Sequence, residues 1–111
     1  MSRLTTHVLD AATGTPAAGI AIELSGPQGL PVDDAVTDAD GRATLGPERL
    51  APGEYTLAFR TGAYFAERGV STFYPFVAVT FAVDADEHGT ERHLHVPLLL
   101  SPFAYSTYRG S

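Results

Sequence analysis

Apolar positions in this chain recur at a period of two, over short stretches separated by turn-forming residues, which predicts β-structure nearly throughout. Glu54-Tyr-Thr-Leu-Ala-Phe59 is the plainest case. Tyr55, Leu57 and Phe59 fall on one face of an extended segment, and Glu54 and Thr56 on the other. Ile20-Ala-Ile-Glu-Leu24 alternates in the same manner. Residues 4–9 read as a first strand, closed by the turn-rich Asp10-Ala-Ala-Thr-Gly-Thr-Pro16. Residues 25–31 read as loop and 35–37 as a short strand. Asp38-Ala-Asp-Gly41 then forms an acidic turn before extended residues 42–45, and Pro52-Gly53 makes another turn. Residues 76–83, rich in β-branched and aromatic side chains, predict the strongest strand.

After a charged turn at 84–89, a strand beginning at His93 places His93, His95 and Pro97 on one side and Leu94, Val96 and Leu98 on the other. Ser101-Pro102 reads as a corner, and residues 103–108 as a last strand on which Phe103, Tyr105 and Thr107 share a face. Only residues 62–69 suit a helix, with neither proline nor a β-branched side chain between two glycines. At about two turns it needs tertiary support. Seven to eight short strands and one short helix predict an all-β fold, an antiparallel β-sandwich.

Length and charge narrow the choice. One hundred and eleven residues build one domain, 1–111, with a single core. A formal net charge of −6, with arginine the only cationic residue type besides histidine, supplies no basic patch and argues against a nucleic-acid partner. The absence of cysteine excludes a disulfide scaffold, thiol catalysis and a thiolate metal site. No hydrophobic signal region opens the chain and no apolar run has the length of a membrane span, which predicts a cytoplasmic protein without a membrane partner.

The chemistry concentrates in a few side chains. His7 is the one titratable group inside the first strand. His93 and His95, two apart, project from one face. The last residues bring an aromatic ring and a guanidinium together in Tyr108-Arg109-Gly110-Ser111. Taken singly, each has an ordinary explanation: a strand histidine satisfied by water, or Arg42 paired in solvent with Asp38 or Asp40. Their combination is less ordinary.

Thr6-His-Val-Leu-Asp10, Thr37-Asp-Ala-Asp-Gly-Arg42, His93-Leu-His-Val-Pro-Leu-Leu-Leu-Ser-Pro102 and Tyr105-Ser-Thr-Tyr-Arg-Gly-Ser111 resemble the 5-hydroxyisourate hydrolases, the transthyretin-like proteins of purine catabolism. The resemblance runs the length of the chain. Its most specific part is the Tyr-Arg-Gly-Ser ending, and the Asp-Gly-Arg turn is its least specific. It implies a transthyretin-like sandwich of two four-stranded sheets, assembled as a homotetramer with sites in a central channel where subunits face each other. It also implies a reaction in urate degradation: water opens the lactam ring of 5-hydroxyisourate to give 2-oxo-4-hydroxy-4-carboxy-5-ureidoimidazoline. By residue match the catalytic group is His7, Arg42, His95 and Tyr108. Substrate is bound by His7, Arg42, Tyr108, Arg109, Gly110 and Ser111. No metal or other cofactor is implied, and His93 receives no principal role.

These residue types suit cyclic-amide hydrolysis, which needs a base for water, stabilisation of an oxyanion and an acid for the leaving nitrogen. Histidine serves the first and third, with His7 read as activating water and His95 as orienting it. A planar guanidinium grips two oxygens of a carbonyl-rich ring. Without cysteine, direct attack by water is favoured over a covalent intermediate. Three rivals remain in view. His7, His93 and His95 could form a zinc site of a cyclic amidohydrolase. The same fold could carry a small ligand. The Thr37-Asp-Ala-Asp-Gly-Arg and Pro52-Gly-Glu-Tyr-Thr-Leu segments also resemble adhesin stalk modules, a reading weakened by the lack of repeats and of lysine.

Overall fold

The computed structural model describes residues 4–84 and 93–110. Two sheets face each other. The first contains β1 (Leu4–Asp10), β2 (Thr15–Pro16), β5 (Arg42–Leu45), β8 (Leu94–Ser101) and β9 (Ala104–Thr107). The second runs β4 (Pro31–Val36), β3 (Ala21–Ser25), β6 (Gly53–Phe59) and β7 (Val77–Val83). The period-two alternation becomes burial. Leu4, Thr6, Val8 and Asp10 of β1 point inward, as do Ile22 and Leu24 of β3 and Tyr55, Leu57 and Phe59 of β6. Each large apolar side chain so buried contributes about 1.5–3 kcal/mol.

Among the described residues, all strand pairings are antiparallel except one. β1 and β8 run parallel, with Thr5 beside His95 and His7 beside Pro97. Short connections favour antiparallel neighbours, whereas a parallel pair needs a long crossover. Here nearly the whole intervening chain serves as that crossover, so local pattern does not reveal the pairing. Other differences are smaller. Edge strand β4 begins at Pro31, inside the expected loop, because proline is tolerated at the first residue of an edge strand. The loop before it contains a single 3₁₀ turn, Pro27–Gly29. The corner falls at Pro102 and Phe103, one residue later than expected, so Phe103 belongs to the turn and not to β9. Beyond Asp84, the expected charged turn lies outside the described residues.

The helix α1 (Thr61–Glu67) follows β6 directly and buries Tyr64 and Phe65. Its anchor is Asp10, at the end of β1. One carboxyl oxygen accepts the Tyr64 hydroxyl at 2.9 Å, and the other accepts the backbone N–H groups of Ala12 and Thr13 at 3.0 and 3.2 Å. Asp10 is thus buried with both oxygens occupied, which is what makes a buried acceptor tolerable. Burial, and then the neighbouring carboxyl, raise the Tyr64 hydroxyl above its ordinary pKa.

Candidate active site

The outward face of the first sheet carries the polar side chains. On β1, Thr5 and His7 alternate with the buried Leu4, Thr6 and Val8; on β8, His95 alternates with the buried Val96. Register lines these residues into two adjacent rows across the sheet. Arg42 of β5 stands opposite His7, and His7 opposite Pro97. One rung along, Thr44 stands opposite Thr5, Thr5 opposite His95, and His95 opposite Gly110. Directly opposed residues hold their Cβ atoms about 4.5–5.5 Å apart, and rungs two residues apart lie about 7 Å from each other. His7, Arg42 and His95 therefore occupy one patch.

Arg42 owes its place to the turn before it. The Asp38 carboxylate accepts the backbone N–H of Asp40 at 2.9 Å and that of Arg42 at 3.0 Å. The bond from Arg42 is the main reason its pKa lies below the ordinary carboxylate value. Gly41, with φ of 74°, sits where a Cβ would meet the backbone oxygen of Val8, and its own carbonyl accepts the Val8 N–H at 2.8 Å. The Asp-Gly step is thus both a left-handed turn and a weld to β1. Asp38 thus serves the Arg42 backbone, and its carboxylate also feels the charges of Arg42 and His7.

His95 is half-buried and its pKa is lowered. Desolvation is the largest cause, followed by the charges of His93, Arg42 and His7; a hydrogen bond to the Thr5 backbone opposes them. A histidine surrounded by cationic groups stays neutral where an exposed one would be protonated. Its ring stacks beside that of His93, with centroids 6.1 Å apart and planes 22° from parallel. Between the two rings stands a group that sequence reading passed over. The Thr5 hydroxyl lies 2.8 Å from His95 Nδ1 and 3.0 Å from His93 Nε2. The only available signal was that Thr5 shares the face of His7. Among the described residues no three His, Asp or Glu side chains converge as metal ligands would.

The chain returns to this patch at its end. Gly110 donates its N–H to the His95 carbonyl at 2.8 Å, in the register that β9 has already set against β8. Continuing that register puts Tyr108 opposite Pro97 in the row of His7 and Arg42, and turns Arg109 to the opposite side. Gly110 lies so close to the His95 imidazole that a Cβ there would overlap the ring. Tyr108, 59% exposed, and Arg109 join His95, Val79, Phe81 and Leu94 in lining a cavity of about 250 Å³. Ser111 lies outside the described residues.

An all-β sandwich with imidazoles and a guanidinium in register on the outer face of one sheet, crossed by its own C-terminal strand, defines the class of this molecule. The chain belongs to the HIUase/Transthyretin family, whose model matches residues 4–110. It is 45% identical to the 5-hydroxyisourate hydrolase of Caulobacter vibrioides, over 100% of both chains. The solved 5-hydroxyisourate hydrolase of Klebsiella pneumoniae superposes with a TM-score of 0.87 at 40% identity, covering 99% of this chain and 100% of that one. Sea bream transthyretin, solved with thyroxine, superposes with a TM-score of 0.84 at 34% identity, covering 96% and 93% respectively.

Proposed function

We propose that this chain is a 5-hydroxyisourate hydrolase, opening the lactam ring of its substrate with water in purine degradation. One observation carries the reading: the Arg42–His7 rung lies beside the Thr5–His95 rung, under a tail that ends in Tyr108, Arg109 and Gly110. His7 and His95 are the proton-handling pair, and Arg42 holds the ring oxygens as negative charge develops. His7 activates the water and His95 orients it. Tyr108 closes over the substrate from the row of His7 and Arg42, Gly110 seats the tail on His95, and, by the family resemblance, Arg109 and Ser111 complete the binding site. The route needs no metal.

The assembly we propose is a homotetramer whose subunits cover this face. Support comes from Leu99, an apolar side chain that alternates with the buried Leu98 and Leu100 on β8 and is left 37% exposed on the face of His95. No described helix is long and apolar enough to cross a membrane, and the cytoplasm is the proposed location. A ligand-carrier role fits this patch poorly, because an apolar cargo gains nothing from two imidazoles and a guanidinium.

The test is direct. Urate and urate oxidase generate 5-hydroxyisourate in the cuvette, and its absorbance decay is followed with and without the protein. Decay at the spontaneous rate would overturn the reading.

A further inference from the structure

We infer that Thr5 is a positioning residue: its hydroxyl couples the protonation of His93 to the choice of ring nitrogen that carries the proton of neutral His95. The inference deepens the hydrolase reading and rests on it for its consequence, though not for its geometry. A hydroxyl has one proton to give and two lone pairs. Thr5 faces two imidazole nitrogens, His93 Nε2 at 3.0 Å and His95 Nδ1 at 2.8 Å, and it cannot donate to both. The backbone oxygen of Leu94, at 3.5 Å, is the poorer alternative.

Two arrangements satisfy the triad. With His93 neutral and its Nε2 bare, Thr5 donates to His93 and accepts the Nδ1–H of His95, leaving His95 Nε2 free as an acceptor. With a proton on His93 Nε2, whether in the neutral Nε2–H tautomer or the cation, that N–H donates to Thr5 and Thr5 donates to His95 Nδ1. The single proton of neutral His95 then resides on Nε2, through exchange with water. The first form can take a proton from water or hold it by a lone pair; the second can only donate. The Thr5 backbone also hydrogen-bonds His95. His7 and Arg42 act on it as charges from β1 and β5, and the tail contributes Tyr108, Arg109 and the Gly110 backbone. The strand geometry that creates the triad is the parallel pairing of Thr5 with His95, which brings together residues ninety apart in sequence.

The test follows the imidazole nitrogens by ¹⁵N–¹H correlation spectroscopy of histidine-labelled protein while pH is scanned, alongside the pH profile of kcat/KM. In the parent, with His95 neutral, its Nδ1 lacks a proton wherever His93 Nε2 carries one and carries a proton wherever His93 Nε2 is bare. In Thr5→Val, which keeps the branched shape without the hydroxyl, that coupling disappears. Its kcat falls about tenfold or more with KM little changed, since general acid–base groups contribute about a hundred- to ten-thousandfold when correctly placed. Thr5→Ser restores both. A parent in which, with His95 neutral, His93 Nε2 and His95 Nδ1 both carry protons or both lack them overturns the proposal without any variant, as does a Thr5→Val protein with the parental tautomer and pH profile. Should the parent fail to hydrolyse 5-hydroxyisourate, the functional reading falls, while the spectroscopic test still decides the coupling.

Discussion

Replacing Gly110 by alanine should separate activity from stability. Alanine adds one carbon, and that carbon overlaps the His95 imidazole, so either the ring turns or the tail lifts. Lifting the tail sacrifices the bond from the Gly110 N–H to the His95 carbonyl, worth about 0.5–1.5 kcal/mol. Turning the ring strains the 2.8 Å contact of Nδ1 with Thr5. Either way the global cost is near 1 kcal/mol, and the thermal midpoint falls by no more than about 4–8 °C. The catalytic cost is larger, because a misplacement of about 1 Å in a reacting group costs about a hundredfold. Gly110→Ala should therefore be a folded protein with kcat lower by about that factor. Steady-state decay of enzymatically generated 5-hydroxyisourate measures the rate, and calorimetry the midpoint. Parental kcat in a folded Gly110→Ala protein would show that the tail's approach to His95 is incidental.

His7→Ala and His95→Ala should each lower kcat by about a hundred- to ten-thousandfold while the fold survives, as judged by kinetics and circular dichroism; parental rates in either would make that histidine structural. Arg42→Lys should recover little of what Arg42→Ala loses, because the ammonium lacks the planar fork; near-parental turnover would reduce Arg42 to a diffuse charge. Since desolvation and neighbouring cations lower the His95 pKa, its neutral form persists to more acid pH than usual. In ¹⁵N spectra His95 should thus titrate below the ordinary histidine value, and a midpoint above it would contradict the environment described for His95. The same shift makes unfolded chains bind the proton first, so the His95 contribution to stability is present above the unfolded pKa and is lost as pH falls through the folded one. Tyr64→Phe should cost about 1–3 kcal/mol in urea titration by leaving a buried Asp10 oxygen without its donor, with kcat unchanged.

Strands whose two faces differ were legible from the sequence. Tyr55, Leu57 and Phe59 announce an inward face, and all three are buried. The helix was legible because residues 63–67 favour no strand, though it begins at Thr61, before the glycine expected to mark its start, and ends at Glu67. Neighbour relations were another matter. Nothing in Leu4–Asp10 or Leu94–Ser101 states that they run parallel, because that depends on how the sheet closes over the whole chain. The histidines and Arg42 stood out as polar side chains in strand surroundings, and the family resemblance grouped them. Thr5 gave no such signal, since threonine is an ordinary strand residue and its importance exists only beside two imidazoles brought from the far end.

The parallel pairing also sets the order in which this protein can be made. The second sheet uses strands up to Val83 and can form while the rest of the polypeptide is still being synthesised. The first sheet cannot, because β8 sits between β1 and β9 as its central member. Until residues 94–101 emerge from the ribosome, β1 presents an unpaired edge, a hazard for pairing with other nascent chains. Closing so long a loop is also entropically slow compared with making local contacts. Completion of the first sheet should consequently wait on the emergence of β8, and a ribosome stalled before β8 would hold a half-folded polypeptide with its first strand open to aggregation.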